Sequence, residues 1–267
     1  MDFRFTYDTY QDVRHNLFKY SVPFLVGAGF FTYFLILPPS HKQAVTNVLN
    51  YIVTTEPWKS LAGAGVGLVV FVGLAFLLTE IFQVHDQWYD KYVIRWRYYY
   101  DNDFILPRLT QPFGSGLNFR FREEAESRTG AFMEAIYYPF VGDIDLKIPK
   151  NKLVRFYEVV TVYWLTQINE IVIFGMVIIV ALYRAFGPND LAYRTRLLTD
   201  LIILAVAFLL NRLWSRSILV KVRHATEQEI RAIHENKDLR SDLKARLIAL
   251  CTQYNVWYDP VLLNSIQ

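Results

Sequence analysis

A single cysteine, Cys251, leaves no partner for a disulfide within the chain. Neither CxxC nor HExxH occurs anywhere in the 267 residues, and His15, His41, His224 and His234 stand apart from one another. That excludes the zinc sites that spacing alone can reveal. The one mixed grouping is "HDQWYDKY", with His85, Asp86 and Asp90. His85 and Asp90 are separated by i+5, off the i+3/i+4 face of a helix, so the stretch reads as a polar collar. A nucleophile elbow and a phosphate loop are also missing. No catalytic residue, metal ligand or cofactor site is therefore assigned, which disfavours an enzyme. Charge is scarce as well: 20% of residues are charged, below the roughly 25% of a soluble domain. A secretory leader is lacking, because residues 1–19 are polar and aromatic and no small-residue cleavage site follows the first apolar run. That run is expected to be a retained helix.

What the chain has in plenty is apolar length. Apolar residues make up 53% of it and bunch into four runs, 21–37, 61–82, 159–183 and 197–214. About 20 helical residues cross a hydrocarbon core of ~30 Å. Runs 61–82 and 159–183 reach that length outright. The other two lie near the ~17-residue floor and draw on their aromatic and polar flanks. Four transmembrane helices are predicted, with two hydrophobic hairpins of a soluble protein as the alternative. Of the 28 Lys and Arg residues, 23 fall on one set of alternating segments and five on the other. Basic residues stay on the cytoplasmic side, so both termini and the central segment are expected inside, in a multi-pass plasma (inner) membrane protein.

The expected fold class is an all-α integral membrane protein with four transmembrane helices. Its helical extensions enter a cytoplasmic domain with room for a small β element. The segments are a cytoplasmic leader (1–19), a first hairpin (20–83), a cytoplasmic domain (84–155), a second hairpin (156–214) and a cytoplasmic helical tail (215–267). No Gly or Pro lies between Thr79 and Pro107, which predicts a helix running well past the second span. "NKLVRFYEVVTVYW" likewise leads into the third without a breaker. In the tail, Thr226 and Glu229 have the spacing of a capping box, and Ser241 is placed to start another helix. "DFRFTY" at 2–7 and "NFRFRE" at 118–123 alternate with period 2 and are matched for pairing as strands.

Gly63 and Gly67 in "LAGAGVGLVV" look like part of a nucleotide-binding loop. They sit at the head of a membrane-length run, however, where Gly-xxx-Gly lets helices approach closely. Gly27 and Gly29 are candidates for the facing surface. "WYDKYVIRWRYYYD" alternates aromatic and basic residues. Three readings stay open for it: an interfacial belt, internal packing, or an anionic-ligand surface in which rings stack on bases and cations hold phosphates. On the last reading Lys91, Arg95, Trp96 and Arg97, with Arg120 and Arg122, would bind a nucleotide or oligonucleotide.

Thr166, Gln167, Asn169 and Glu170 interrupt the third run, ~10–17 Å from its cytoplasmic end by helix rise. A charge at membrane depth normally faces a cavity, a partner or a conduction path. Either Glu170 glues helices together, or these four residues line a pore. A pore needs a homo-oligomer, since four helices do not readily enclose water, and a ring of Glu170 carboxylates would favour cations. The first reading is thus a homo-oligomeric channel gated at its cytoplasmic domain by an anionic ligand or a protein partner. Its architecture is analogous to that of membrane-disrupting effectors in antiviral defence. The second is a non-conducting scaffold anchoring a cytoplasmic complex. The third, an integral-membrane enzyme, would depend on His85 or Asp86.

Overall fold

The computed structural model of the chain describes residues 9–54, 66–85, 87–89, 99–113, 130–141 and 147–254. Helix α1 (Tyr10–Phe31) opens on a capping box. The Thr9 side chain accepts from the Asp12 amide, and the Asp12 carboxylate accepts from the Thr9 amide at 2.9 Å, which satisfies two orphan donors at once. A π-helical turn (Thr32–Ile36) prolongs α1 until the Pro38–Pro39 pair ends it. The segment that follows is helical: α2 spans Pro39–Thr54, with proline at a first-turn position that needs no N–H. Helix α3 (Val66–Phe76) continues as a π-helical turn through Ile81.

The chain then departs from the long extension that its sequence predicts. Gln83 takes a positive φ of 44°, a left-handed conformation that costs a non-glycine residue ~1–2 kcal/mol. The turn has a structural return, since it sets His85 against Trp164 with ring centroids 5.2 Å apart. Beyond it lie a π-helical turn at Asp101–Ile105, the short α4 (Leu106–Thr110) and, after a helical stretch at 130–136, α5 (Tyr138–Val141). The proposed strands at 2–7 and 118–123 lie outside the described residues, among which no strand occurs.

Two long helices dominate. Helix α6 (Lys150–Phe186, 37 residues) ends at Gly187, and Asp190 caps the start of α7 by accepting from the Tyr193 amide at 3.2 Å. Helix α7 (Leu191–Glu235, 45 residues) runs unbroken for about 67 Å at 1.5 Å per residue. It stops at Asn236, whose side chain caps α8 (Lys237–Gln253). Thr226 and Glu229 therefore sit inside α7 rather than at its start. Their side chains are fully buried and are taken up by tertiary partners, so neither is free to cap.

Two apolar cores result. The larger joins the first half of α1 (Val13, Leu17) to Phe113, Phe132, Phe140, Ile233 and Leu247. A smaller one, Ile36, Val180, Leu197 and Leu204, closes the far end of the bundle. Between them the outer faces are exposed and apolar, with Phe30 and Phe34 on α1, Val70 on α3, Phe174 and Ile178 on α6, and Leu209 and Leu213 on α7. A water-soluble monomer rarely carries so continuous an apolar belt. Three helical stretches, Gln11–Ile36, Lys150–Phe186 and Leu191–Glu235, are long and apolar enough to cross a membrane. The belt and these lengths mark a membrane-embedded protein.

One close helix approach is visible where α1 meets α3: a Cβ added at Gly29 would overlap the Phe71 ring, whereas one at Gly27 would meet nothing within 4 Å. Gly67 falls in the first turn of α3, and Gly63 lies outside the described residues. Gly29→Ala should destabilise the folded protein by ~1–3 kcal/mol through overpacking. Gly27→Ala should be neutral or mildly stabilising through helix propensity. Thermal unfolding of the two variants in the same detergent separates them; equal melting temperatures would remove the packing role given to Gly29.

Candidate functional site

The polar interruption of α6 is spent inside a single chain. Glu170 is 1% exposed. The Tyr89 hydroxyl donates to its Oε2, and Arg212 Nε on α7 stands 3.3 Å from its Oε1. The Arg212 contact is a charge pair more than a well-aimed hydrogen bond, since Oε1 has no hydrogen-bond partner among the described residues. One turn closer to the larger core, Asn211 Nδ2 donates to the Thr166 carbonyl at 2.8 Å, and Thr166 Oγ1 donates to the Tyr163 carbonyl at 2.6 Å. Gln167 is buried, and neither of its amide atoms has a partner among the described residues. Asn169 is buried too, with Oδ1 in the same state.

Depth decides how this cluster is read. Exposed apolar residues on α6 begin at Phe174, one turn beyond Glu170. The carboxylate therefore stands at the inner edge of the belt, between lipid-like surface on one side and the large core on the other. A second ion pair lies on the neighbouring helices: Arg14 of α1 reaches Glu80 at 3.1 Å and also donates to the Glu80 carbonyl at 2.8 Å. Both of these carboxylates are thus matched by cations, as burial of charge requires.

A separate polar group is buried in the larger core. The Tyr137 hydroxyl donates to Glu229 Oε2 at 2.6 Å, and the Tyr100 hydroxyl donates to Thr226 Oγ1 at 2.8 Å. Burial pushes the Glu229 carboxyl up to about 8, against a smaller downward pull from the Tyr137 hydrogen bond. Burial and the neighbouring Glu229 push the Tyr137 hydroxyl well above its ordinary value. Near neutral pH Glu229 is a protonated acid locked among helices. It is a buried structural group.

The aromatic–basic candidates Lys91, Arg95, Trp96 and Arg97, with Arg120 and Arg122, lie outside the described residues, as do Asp86 and Asp90. The four α6 residues are brought together with Tyr89, which lies in the aromatic–basic stretch but outside its proposed ligand contacts, and with Asn211 and Arg212, which no site motif includes. One signal was present for the pair: a lone acid in the third run and a lone base at the end of the fourth, on helices joined by a short turn.

A family model described as the YmfE protein family matches residues 34–246. The chain belongs to that family. The YmfE match takes in Glu170, Arg212 and Glu229 and leaves out all of α1. No curated protein and no solved structure matches the chain.

Two predictions follow from the two carboxylates. Arg212→Ala strands Glu170 with only the Tyr89 hydroxyl. Because Arg212 is 42% exposed, the loss is set at ~1–3 kcal/mol, below that of a fully buried pair. The double variant Arg212→Ala/Glu170→Gln should regain part of it, and a purely additive double-mutant cycle would show the pair to be uncoupled. For Glu229, the unfolded chain ionises near 4.5 and the folded one near 8, so the unfolded state sheds its proton first as pH rises. Stability should fall between those values and level off above them. Glu229→Gln should flatten that profile in thermal unfolding scans at pH 5 and pH 8.

Proposed function

We propose that the protein is a four-span, non-conducting membrane scaffold that holds a helical domain at the cytoplasmic face, with both termini inside. The observation that carries the reading is the direction of the polar groups. Thr166, Gln167, Asn169 and Glu170 are buried within one chain, while the outward faces of the same helices are apolar. A conducting homo-oligomer needs a polar face turned to the axis, and Glu170 is already matched by Arg212 and Tyr89. The second apolar run serves as the fourth span. Its described part, Val66–Phe76 with Leu77–Ile81, is ~24 Å long by helix rise. The domain on the inner side has a core of its own, built from Phe113, Phe132, Phe140, Leu243 and Leu247, and that gives a scaffold something rigid to present to a protein partner.

The ligand-gated pore is the second reading, and one feature favours it. Gln167 has both amide atoms buried and unmatched among the described residues, a cost that an alternative packing of the hairpins would relieve. Ion flux through liposomes holding the purified protein, with and without nucleotides and short oligonucleotides, separates the two. The scaffold predicts no flux under any ligand, and a loss of stability alone in Glu170→Gln. Ligand-dependent cation flux that loses its selectivity in Glu170→Gln would replace it with the pore.

A further inference from the structure

Along the belt, α1 and α7 each pack on α6 without closing on one another. They leave a groove of about 650 Å³ whose lining includes Pro23, Gly27, Asn169, Met176, Leu204 and Trp214. That volume lies within the range of built ligand sites, which are mostly apolar with a few placed polar groups. Its axis follows the helices. From Asn169 to Met176 on α6 is ~10 Å, and from Ile203 to Trp214 on α7 is ~16 Å, about the depth of one bilayer leaflet. At the outer end the walls are hydrocarbon. At the end nearer the large core stand Asn169 and Asn211. Asn211 is committed to the Thr166 carbonyl. Asn169 is not: it is 5% exposed, and its Oδ1 has no partner among the described residues. A buried amide oxygen in an apolar groove wants a donor, and no described residue is hydrogen-bonded to this one.

We propose that this groove binds one chain of a neutral, hydroxyl-bearing lipid drawn from the surrounding leaflet, with the hydroxyl donating to Asn169 and the chain running toward Met176 and Leu204. A hydroxyl supplies the missing donor and a single alkyl chain matches the groove's depth. An anionic head is not called for, because no arginine or lysine lines the groove and Arg212, next to Asn211 in the chain, is engaged by Glu170. The site rests on the membrane placement of these helices and not on whether the protein conducts. Flotation of the protein with liposomes checks that placement separately.

The test uses Trp214, which lines the groove, as a reporter. The full chain in phosphatidylcholine nanodiscs is titrated with a monoacylglycerol carrying a dibrominated C18 chain, or with the methyl ester of the same acid. The Trp214 signal is the difference between wild type and Trp214→Phe. It should be quenched saturably by the monoacylglycerol at a concentration at least fivefold below that needed of the ester. A Cβ at Gly27 meets nothing within 4 Å and the residue lines the groove, so Gly27→Leu should fold, project into the groove and lose the saturable quenching. Asn169→Leu should retain quenching and lose the fivefold preference. Equal, unsaturable quenching by both compounds would show ordinary boundary lipid and overturn the site. So would unchanged binding in Gly27→Leu, or a preference that survives Asn169→Leu. Disulfide dimers formed through Gly27→Cys would instead put a second copy of the chain in the groove.

Discussion

The contact on which the rest of the bundle depends is the one between Glu170 and Arg212. A carboxylate at the edge of an apolar belt is tolerable only when an opposite charge shares its level. Sharing that level fixes how far α6 is displaced along α7. With the register set, Asn211 meets the Thr166 carbonyl, and Tyr89 is drawn in from the segment after α3. The left-handed turn at Gln83 makes sense in that setting. A straight continuation of α3 would carry His85 and Tyr89 away from α6. The strain at one residue is offset by placing two polar rings against the same helix.

The pair also separates two environments that obey different rules. On the belt side, helices meet through small residues and apolar surface, as at Gly29 against Phe71. On the other side a water-type core forms, dense in Phe and Leu and threaded by buried hydroxyls and one protonated carboxyl, Glu229. Each buried polar group there must find its partner within the protein. The scaffold reading rests on this division, because it leaves the spans with little to offer an aqueous path and gives the inner domain a rigid body.

Much of the architecture was legible in the chain, for reasons that differ by element. The third and fourth runs declare themselves by length, and the unbroken sequence before the third predicts that α6 continues beyond the apolar stretch, which it does from Lys150 onward. What could not be read is tertiary. Thr226 and Glu229 have capping-box spacing, yet they lie within α7 because Tyr100 and Tyr137, far away in sequence, bind their side chains. The break at Gln83 has no Gly or Pro to announce it, since its cause is the surface of α6. Glu170 was singled out from sequence as a charge in the wrong place. Its partner was hidden because Arg212 looks like any basic residue where a span leaves the membrane.

The continuity of α7 gives the molecule a lever. Forty-five residues without a break join the Leu191 end of the bundle to an exposed corner at Asn236. A rod of ~67 Å that tilts by about 5° about its outer end moves its inner end by about 6 Å. Bilayers of different thickness impose tilts of that order on helices. Since no hinge interrupts α7 before Asn236, a tilt of α7 would be carried to α8 as displacement, with the capped corner at Asn236 as the first joint able to absorb it.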